Sequence, residues 1–143
     1  MTHSGYAAYQ EAQAYEVDQA KLILMMFSGS VKFLNKAIEA ADIDSNTMEK
    51  NVSKAKKVIL ELISSLNLDN SGEMGEILLK AYKGLFIKLN EAYVENDITK
   101  IIEVRDSLTE LEESWKKIFQ SPEYQKFKKS RERQFKKQHI SRR

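Results

Sequence analysis

The chain has 143 residues, with one proline, five glycines, no cysteine and 31% charged side chains. This composition favours long helices over sheets and excludes disulfide bonds, and a domain of this length can bury a core without metal or disulfide staples. The longest uninterrupted apolar run, residues 22–27, is far shorter than a membrane span requires, so no membrane insertion is predicted. Because no basic and apolar leader opens the sequence, we expect a cytoplasmic protein.

The net charge of +2 is spread unevenly along the chain. Residues 1–120 carry 14 basic and 19 acidic side chains, whereas residues 121–143 carry nine basic and two acidic ones. Together with the helical pattern described below, this shift predicts three parts. They are an N-terminal arm (1–17), a helical bundle (18–120) and a basic C-terminal extension (121–143).

The first predicted helix, residues 18–41, is more apolar than a bundle helix needs to be, and Asp18 is placed to cap it. One set of apolar side chains steps by three and four residues, which builds a core face. A bundle helix buries about three positions in seven, so the remaining apolar surface requires another cover. That cover could be the arm, a second copy or a partner chain; a thick core in a tilted bundle is the alternative. This second face comprises Leu22, Met25, Met26, Gly29 and Phe33.

Three more helices follow, each with an apolar stripe at helical spacing. Ser45 or Asn46 is placed to cap helix 2, and helix 3 is expected to begin near Ser71 or Gly72. The short links predict an all-α fold, an antiparallel up-down-up-down four-helix bundle. The stripes are Met48, Val52, Ala55, Ile59, Leu62 and Leu66 in helix 2; Met74, Leu78, Ala81, Leu85, Leu89 and Ala92 in helix 3; and Ile101, Val104, Leu108, Leu111, Trp115 and Ile118 in helix 4.

The regular stripe of helix 4 predicts a largely buried Trp115, and Ser121-Pro122 is expected to end that helix. The basic residues 123–143 are interspersed with aromatic side chains and could form a fifth helix as far as about Lys137. At the other end of the chain, the tyrosines of residues 1–17 could anchor an arm on the bundle, or the segment could be a disordered terminus.

Side chains for catalysis or metal binding are sparse. The two histidines, His3 and His139, lie in the tails, and without cysteine the bundle offers no zinc ligand set. The bundle also lacks a glycine-rich phosphate loop and a Ser-His-Asp arrangement. Paired carboxylates such as Glu112 and Glu113 fit solvated helix faces. We therefore predict that the protein is not an enzyme and carries no cofactor or metal.

Four short stretches, taken in chain order, resemble the motifs of one known protein family. Tyr9-Gln10 resembles the family's Tyr-Gln in its arm, and residues 22–29, Leu-Ile-Leu-Met-Met-Phe-Ser-Gly, resemble its Leu-Ile-x-Met-Leu-Tyr-Asp-Gly. Residues 72–82 are similar to the family's Gly-Glu motif at helix 3, and Asn96-Asp97 is similar to its Asn-Asp turn. The stripe of helix 4 follows the family spacing, so the resemblance covers roughly residues 9–119. On these motifs the chain resembles the FliS family of flagellar secretion chaperones.

The resemblance departs from the family at three places, one of which is the basic extension after Phe119, which is longer than is usual in the family and whose role is not carried over. At a second place, Phe27 stands where the family has Tyr, and Ser28 next to it replaces an acidic residue whose polar contact would be missing. At the third, Asp18-Gln19 stands where members often have Ser-Pro, although both openings cap a helix. The resemblance implies an export chaperone of flagellar type III secretion. Such a chaperone holds the disordered C-terminal segment of flagellin in apolar grooves and prevents premature polymerisation. The implied groove and lid residues are Tyr6, Tyr9, Leu22, Met25, Met26, Phe33, Leu79, Tyr82 and Phe86.

Other readings stay open. An anti-sigma factor or a component of the export gate could be a second partner, and the second face of helix 1 could be a homodimer seam. The basic extension could make the protein a nucleic-acid-binding module, because Lys and Arg bind phosphates without sequence choice. We favour this reading less as the main function, because the bundle is acidic and contains no recognition motif.

Overall fold

The computed structural model describes residues 19–140, apart from the side chains of Asn70, Phe135, His139 and Ile140. The described residues form five helices and no strand, which confirms the all-α prediction and the predicted helix order. The predicted cap Asp18 and the N-terminal arm with Tyr6, Tyr9 and Tyr15 lie outside the described residues. The helices are α1 (Gln19–Ala40), α2 (Ser45–Ser64), α3 (Leu68–Glu95), α4 (Ile98–Gln120) and α5 (Pro122–Ile140).

The chain divides into two compact units, one of residues 25–112 and the other containing the described residues 19–24 and 113–140. In the first unit, links of two to four residues join consecutive helices, and such short links require antiparallel neighbours. The core side chains step by three and four along each helix, so every helix turns one face inward. They are Phe27, Leu34 and Ala37 of α1; Met48, Val52, Ala55, Ile59 and Leu62 of α2; Tyr82, Leu89 and Ala92 of α3; and Ile101, Val104 and Leu108 of α4.

Polar contacts between helices show the order in which the four helices neighbour one another in this unit. Arg105 Nη1 of α4 donates to Asn35 Oδ1 of α1 at 3.1 Å. The Tyr93 hydroxyl of α3 donates to Glu49 of α2 at 3.0 Å, and this bond raises the pKa of Tyr93. The Lys88 ammonium of α3 lies 2.7 Å from Glu103 of α4. The Tyr93–Glu49 and Lys88–Glu103 contacts are exposed and stabilise the fold little, whereas the Arg105–Asn35 bond is partly buried. The contacts of Arg105 and Lys88 place α4 beside both α1 and α3.

The cap of α2 is Asp44, one residue before the predicted Ser45 or Asn46. The Asp44 carboxylate accepts from the amides of Asn46 (3.1 Å) and Thr47 (3.2 Å) and from the Thr47 hydroxyl (2.6 Å). Donation by the Thr47 hydroxyl, followed by the two amides, holds the pKa of Asp44 below its usual value. The prediction was wrong by one residue because a carboxylate has two oxygens for several orphan donors, whereas a serine hydroxyl has one.

A backbone break at Gly72 divides α3. Gly72 has φ 57° and ψ −139°, a conformation that side-chain-bearing residues rarely adopt. The main helix therefore starts after Gly72, close to the predicted start, and one additional turn from Leu68 precedes it. The same helix ends at Asn96, whose left-handed φ of 53° confirms the predicted turn.

The inward face of α3 differs from the predicted stripe. Met74 is 62% exposed and Ala81 is exposed, whereas Gly75 and Tyr82 are buried. Both sets have helical spacing and are offset by one residue, so periodicity alone cannot choose between them. Tyr82 gives the deciding contact because its ring packs 6.3 Å from that of Phe27 in the core.

The second unit contains the end of α4 and all of α5 within the described residues. Trp115 stacks on Phe119 (5.3 Å), and Phe119 packs against Tyr124 of α5 (4.9 Å). Burial raises the pKa of the Tyr124 phenol. The predicted end of α4 and the fifth helix are confirmed. Two core predictions fail, because Trp115 is only partly buried and Ile118 is 49% exposed. The apolar stripe of α4 continues here, but this segment lies outside the unit that encloses Ile101–Leu108.

Candidate partner-binding site

The first unit presents an apolar surface on α1 that the bundle does not cover. This α1 face consists of Met25, Met26, Gly29 and Phe33, which share one side of the helix. Met25 is 60% exposed, and Met26 and Phe33 are half-buried. A Cβ added at Gly29 would meet nothing within 4 Å. A helix from another chain could therefore approach the α1 backbone closely at this glycine, between flexible methionine side chains.

Leu22 was predicted to share this surface. It lies in the other unit and is 40% exposed. Tyr6 and Tyr9, the predicted lid residues, lie outside the described part of the chain.

Two lysines of α2 partly cover aromatic side chains of the neighbouring helices. The Lys54 ammonium lies 5.6 Å from the ring centroid of Phe33 in α1, and the Lys56 ammonium lies 5.4 Å from that of Phe86 in α3. Exposed cation–π contacts of this kind contribute only about 0.5–1 kcal/mol. The lysines are long and flexible, so an incoming apolar side chain could displace them from either ring at small cost.

The predicted site residues on α3 fall into two groups. Leu79 and Phe86 are half-buried at the edge of the core, where part of each side chain remains accessible. Tyr82 is only 2% exposed and packs against Phe27, so it supports the bundle from within and presents no surface to a partner in this structure.

The structure also reveals an exposed apolar strip on the outer side of α3 that the sequence reading missed. Met74 is 62% and Ile77 is 55% exposed, and Ala81 and Gly84 continue the same side of the helix. As at Gly29, a Cβ at Gly84 would meet nothing within 4 Å. The spacing of three, four and three residues was visible in the sequence. We name this set the α3 strip.

Comparison with known proteins identifies the kind of protein that carries these surfaces. The family model described as "Flagellar protein FliS" matches residues 2–122. The Bacillus subtilis (strain 168) flagellar secretion chaperone FliS is 31% identical over 121 residues, which cover 81% of this chain and 86% of that protein. The corresponding chaperone of Campylobacter jejuni is 30% identical over 116 residues, covering 79% and 89%.

The chain belongs to the FliS family.

The Escherichia coli (strain K12) flagellar secretion chaperone FliS is 28% identical over 115 residues, which cover 78% of this chain and 84% of that protein. The FliS match includes the α1 face and the α3 strip, and it stops at residue 122, where α5 begins. Among the described residues of this FliS-family chain, no group of three or more His, Cys, Asp or Glu could hold a metal ion. None of its described helices is long and apolar enough to cross a membrane.

Proposed function

We propose that this protein is a cytoplasmic export chaperone of flagellar type III secretion that binds the disordered C-terminal segment of flagellin and prevents its premature polymerisation. Membership of the FliS family supports the role in flagellar secretion. The observation that carries the proposed binding mode is the exposed apolar α1 face, with Met25 60% exposed and open space at Gly29.

Amphipathic helices bind by laying their apolar side into a groove of this kind. A client helix that crosses α1 at Gly29 would bury Met25, Met26 and the accessible edge of Phe33 after displacing Lys54. On α3, Leu79 and Phe86 would receive apolar side chains in the same way. Leu22 is proposed as an additional contact, whereas Tyr82 acts indirectly by holding Phe27 and the core in place.

The energetics of such a complex suit a transport chaperone. Ordering a disordered client costs about 2–5 kcal/mol of the gross interaction energy, so affinity is modest for the area buried. Modest affinity permits release when the client is exported. The same apolar cover keeps the client's helices from associating with one another beforehand.

The N-terminal arm is proposed as a lid that uses Tyr6 and Tyr9 to cover the apolar surface until the client displaces it. Deleting residues 1–14 should then raise the client's association rate, with a gain bounded by the fraction of time that the lid is closed. Stopped-flow binding compares the full-length and truncated proteins. If Tyr9 contacts the client directly, dissociation will instead become faster, and unchanged rates would remove the lid from the proposal.

Calorimetric titration of the full chain with a C-terminal flagellin peptide from the source organism tests the proposed function. We expect binding of the peptide to form a one-to-one complex with a negative heat-capacity change, since apolar burial produces that sign. A peptide of equal length from the middle of flagellin is the control. Equal heats for both peptides would refute the proposal. A homodimer that forms through the α1 face and whose dissociation is unaffected by the client would assign that face to self-association instead.

A further inference from the structure

Five basic side chains lie on one face of the helix α5. Lys126 is followed at three, seven, ten and eleven residues by four further basic residues, a spacing that keeps all five within one face of a helix. All five are exposed, and they extend over about 16 Å at 1.5 Å per residue. We name this set the basic stripe: Lys126, Lys129, Arg133, Lys136 and Lys137.

We propose that the basic stripe binds the phosphate backbone of double-stranded nucleic acid without sequence preference.

The charges of the stripe are not neutralised within the described part of the chain. Ion pairs such as Lys88 with Glu103 and Lys100 with Glu91 and Glu95 lie in the 25–112 unit and include no member of the stripe. A shallow depression on α5 is lined by Lys129, Arg133, Lys136 and the acidic Glu132. The stripe is therefore available to an external polyanion, with Glu132 at its margin as a repelling group.

The arrangement of the stripe favours a linear polyanion over a membrane. A helix that lies on a bilayer needs a broad apolar side opposite its basic side. On α5, Tyr124 is packed against Phe119, and Phe127, which is 53% exposed, has the Arg131 guanidinium 5.6 Å from its ring centroid. These two aromatic side chains therefore do not form an apolar side of that kind. Duplex DNA carries one negative charge per about 1.7 Å of its axis, and its major groove admits an α-helix. The five cations are spaced about 4 Å apart on average along α5, which is close to the roughly 3.4 Å between successive phosphates on one strand of the duplex.

The charge distribution along the chain favours phosphate binding at α5 and not at the bundle. Residues 25–112 carry 11 basic and 15 acidic side chains, whereas residues 113–143 carry 11 basic and three acidic ones. The acidic bundle opposes phosphate binding, so contact should be confined to α5. The FliS match stops at residue 122, where α5 begins, so the stripe is an addition to the region shared with the family.

Fluorescence anisotropy of the full chain with a labelled mixed-sequence DNA duplex of about 20 base pairs tests the proposal. Five phosphate contacts predict a slope of about −4.5 for the logarithm of the binding constant against the logarithm of salt concentration. The triple variant Lys129→Gln, Arg133→Gln and Lys136→Gln should bring that slope to about −2 and weaken binding at least tenfold at about 50 mM salt. A second duplex of unrelated sequence should bind equally.

The matched control removes the same charge from the bundle through Lys36→Gln, Lys57→Gln and Lys83→Gln, all at exposed helical positions. It should leave the slope unchanged. Equal weakening by both triple variants, or no binding by the unmodified chain at low salt, would overturn the proposal. Binding to vesicles of phosphatidylcholine with phosphatidylglycerol but not to DNA would also overturn it in favour of a membrane. If circular dichroism shows that the stripe variant loses helicity, the single variants Arg133→Lys and Arg133→Gln are compared instead. Only Arg133→Gln, which removes the charge, should reduce the salt dependence of the binding constant.

Discussion

Gly29→Arg should separate the fold of the chain from its proposed client binding. A Cβ at Gly29 meets nothing within 4 Å, so the new side chain can extend outward without disturbing the core. Replacing a helical glycine by arginine removes backbone entropy from the unfolded state and should stabilise the protein by about 0.5–1 kcal/mol. The same side chain would occupy the place where a client helix approaches the α1 face.

The loss of binding can be estimated from Met25. Full burial of such a side chain contributes about 1.5–3 kcal/mol, and 60% of the Met25 surface remains exposed in the free protein. Keeping a client off that surface should cost about 1–2 kcal/mol, which raises the dissociation constant about 5- to 30-fold. Loss of the contact with Phe33 would increase this effect.

Two measurements on one preparation test the reasoning: urea unfolding for stability and calorimetric titration with the C-terminal flagellin peptide for affinity. Ser53→Arg, which adds the same side chain at an exposed position of α2, is the control and should leave the dissociation constant unchanged. A Gly29 variant that binds as tightly as the unmodified chain would place client docking away from the α1 face. A lower stability would mean that Gly29 is packed against the fold.

Three further predictions concern stability. Phe27→Ala should lower the free energy of unfolding, measured in urea, by about 3–5 kcal/mol because Phe27 is fully buried. Trp115→Ala should lower it less because Trp115 is only partly buried, and equal losses for the two variants would contradict this ranking. Asp44→Ala should lower the melting temperature at neutral pH. Because the pKa of Asp44 is lowered in the folded protein, its stabilising contribution is present above the unfolded pKa of about 3.9 and is lost as the pH falls through the folded pKa, so the difference from the unmodified chain should shrink under acid. A difference in melting temperature that does not depend on pH would exclude this role. Deleting residues 122–143 should preserve cooperative unfolding and reduce client affinity by less than tenfold, and a non-cooperative transition would show that α5 is needed for the fold.

The local sequence was sufficient to predict the helices. The stripe from Met48 to Leu62 appears in the core of α2 because a single uninterrupted set of apolar residues leaves no competing inward face. The turn at Asn96 and the stop at Pro122 follow from the backbone preferences of those residues. The second apolar face of α1 was also predictable, because it exceeds what one bundle helix buries.

Only the tertiary structure decided which of several equally periodic surfaces turn inward. On α3, Tyr82 is buried and Met74 is exposed because the ring of Tyr82 packs against Phe27, a contact between residues 55 positions apart. Ser30 is buried although it is polar, since its hydroxyl donates to the Phe27 carbonyl at 2.8 Å. Trp115 continues the pattern of α4 but is not enclosed. Periodicity reports how wide an apolar face is, whereas burial depends on whether distant parts of the chain supply the atoms that cover it.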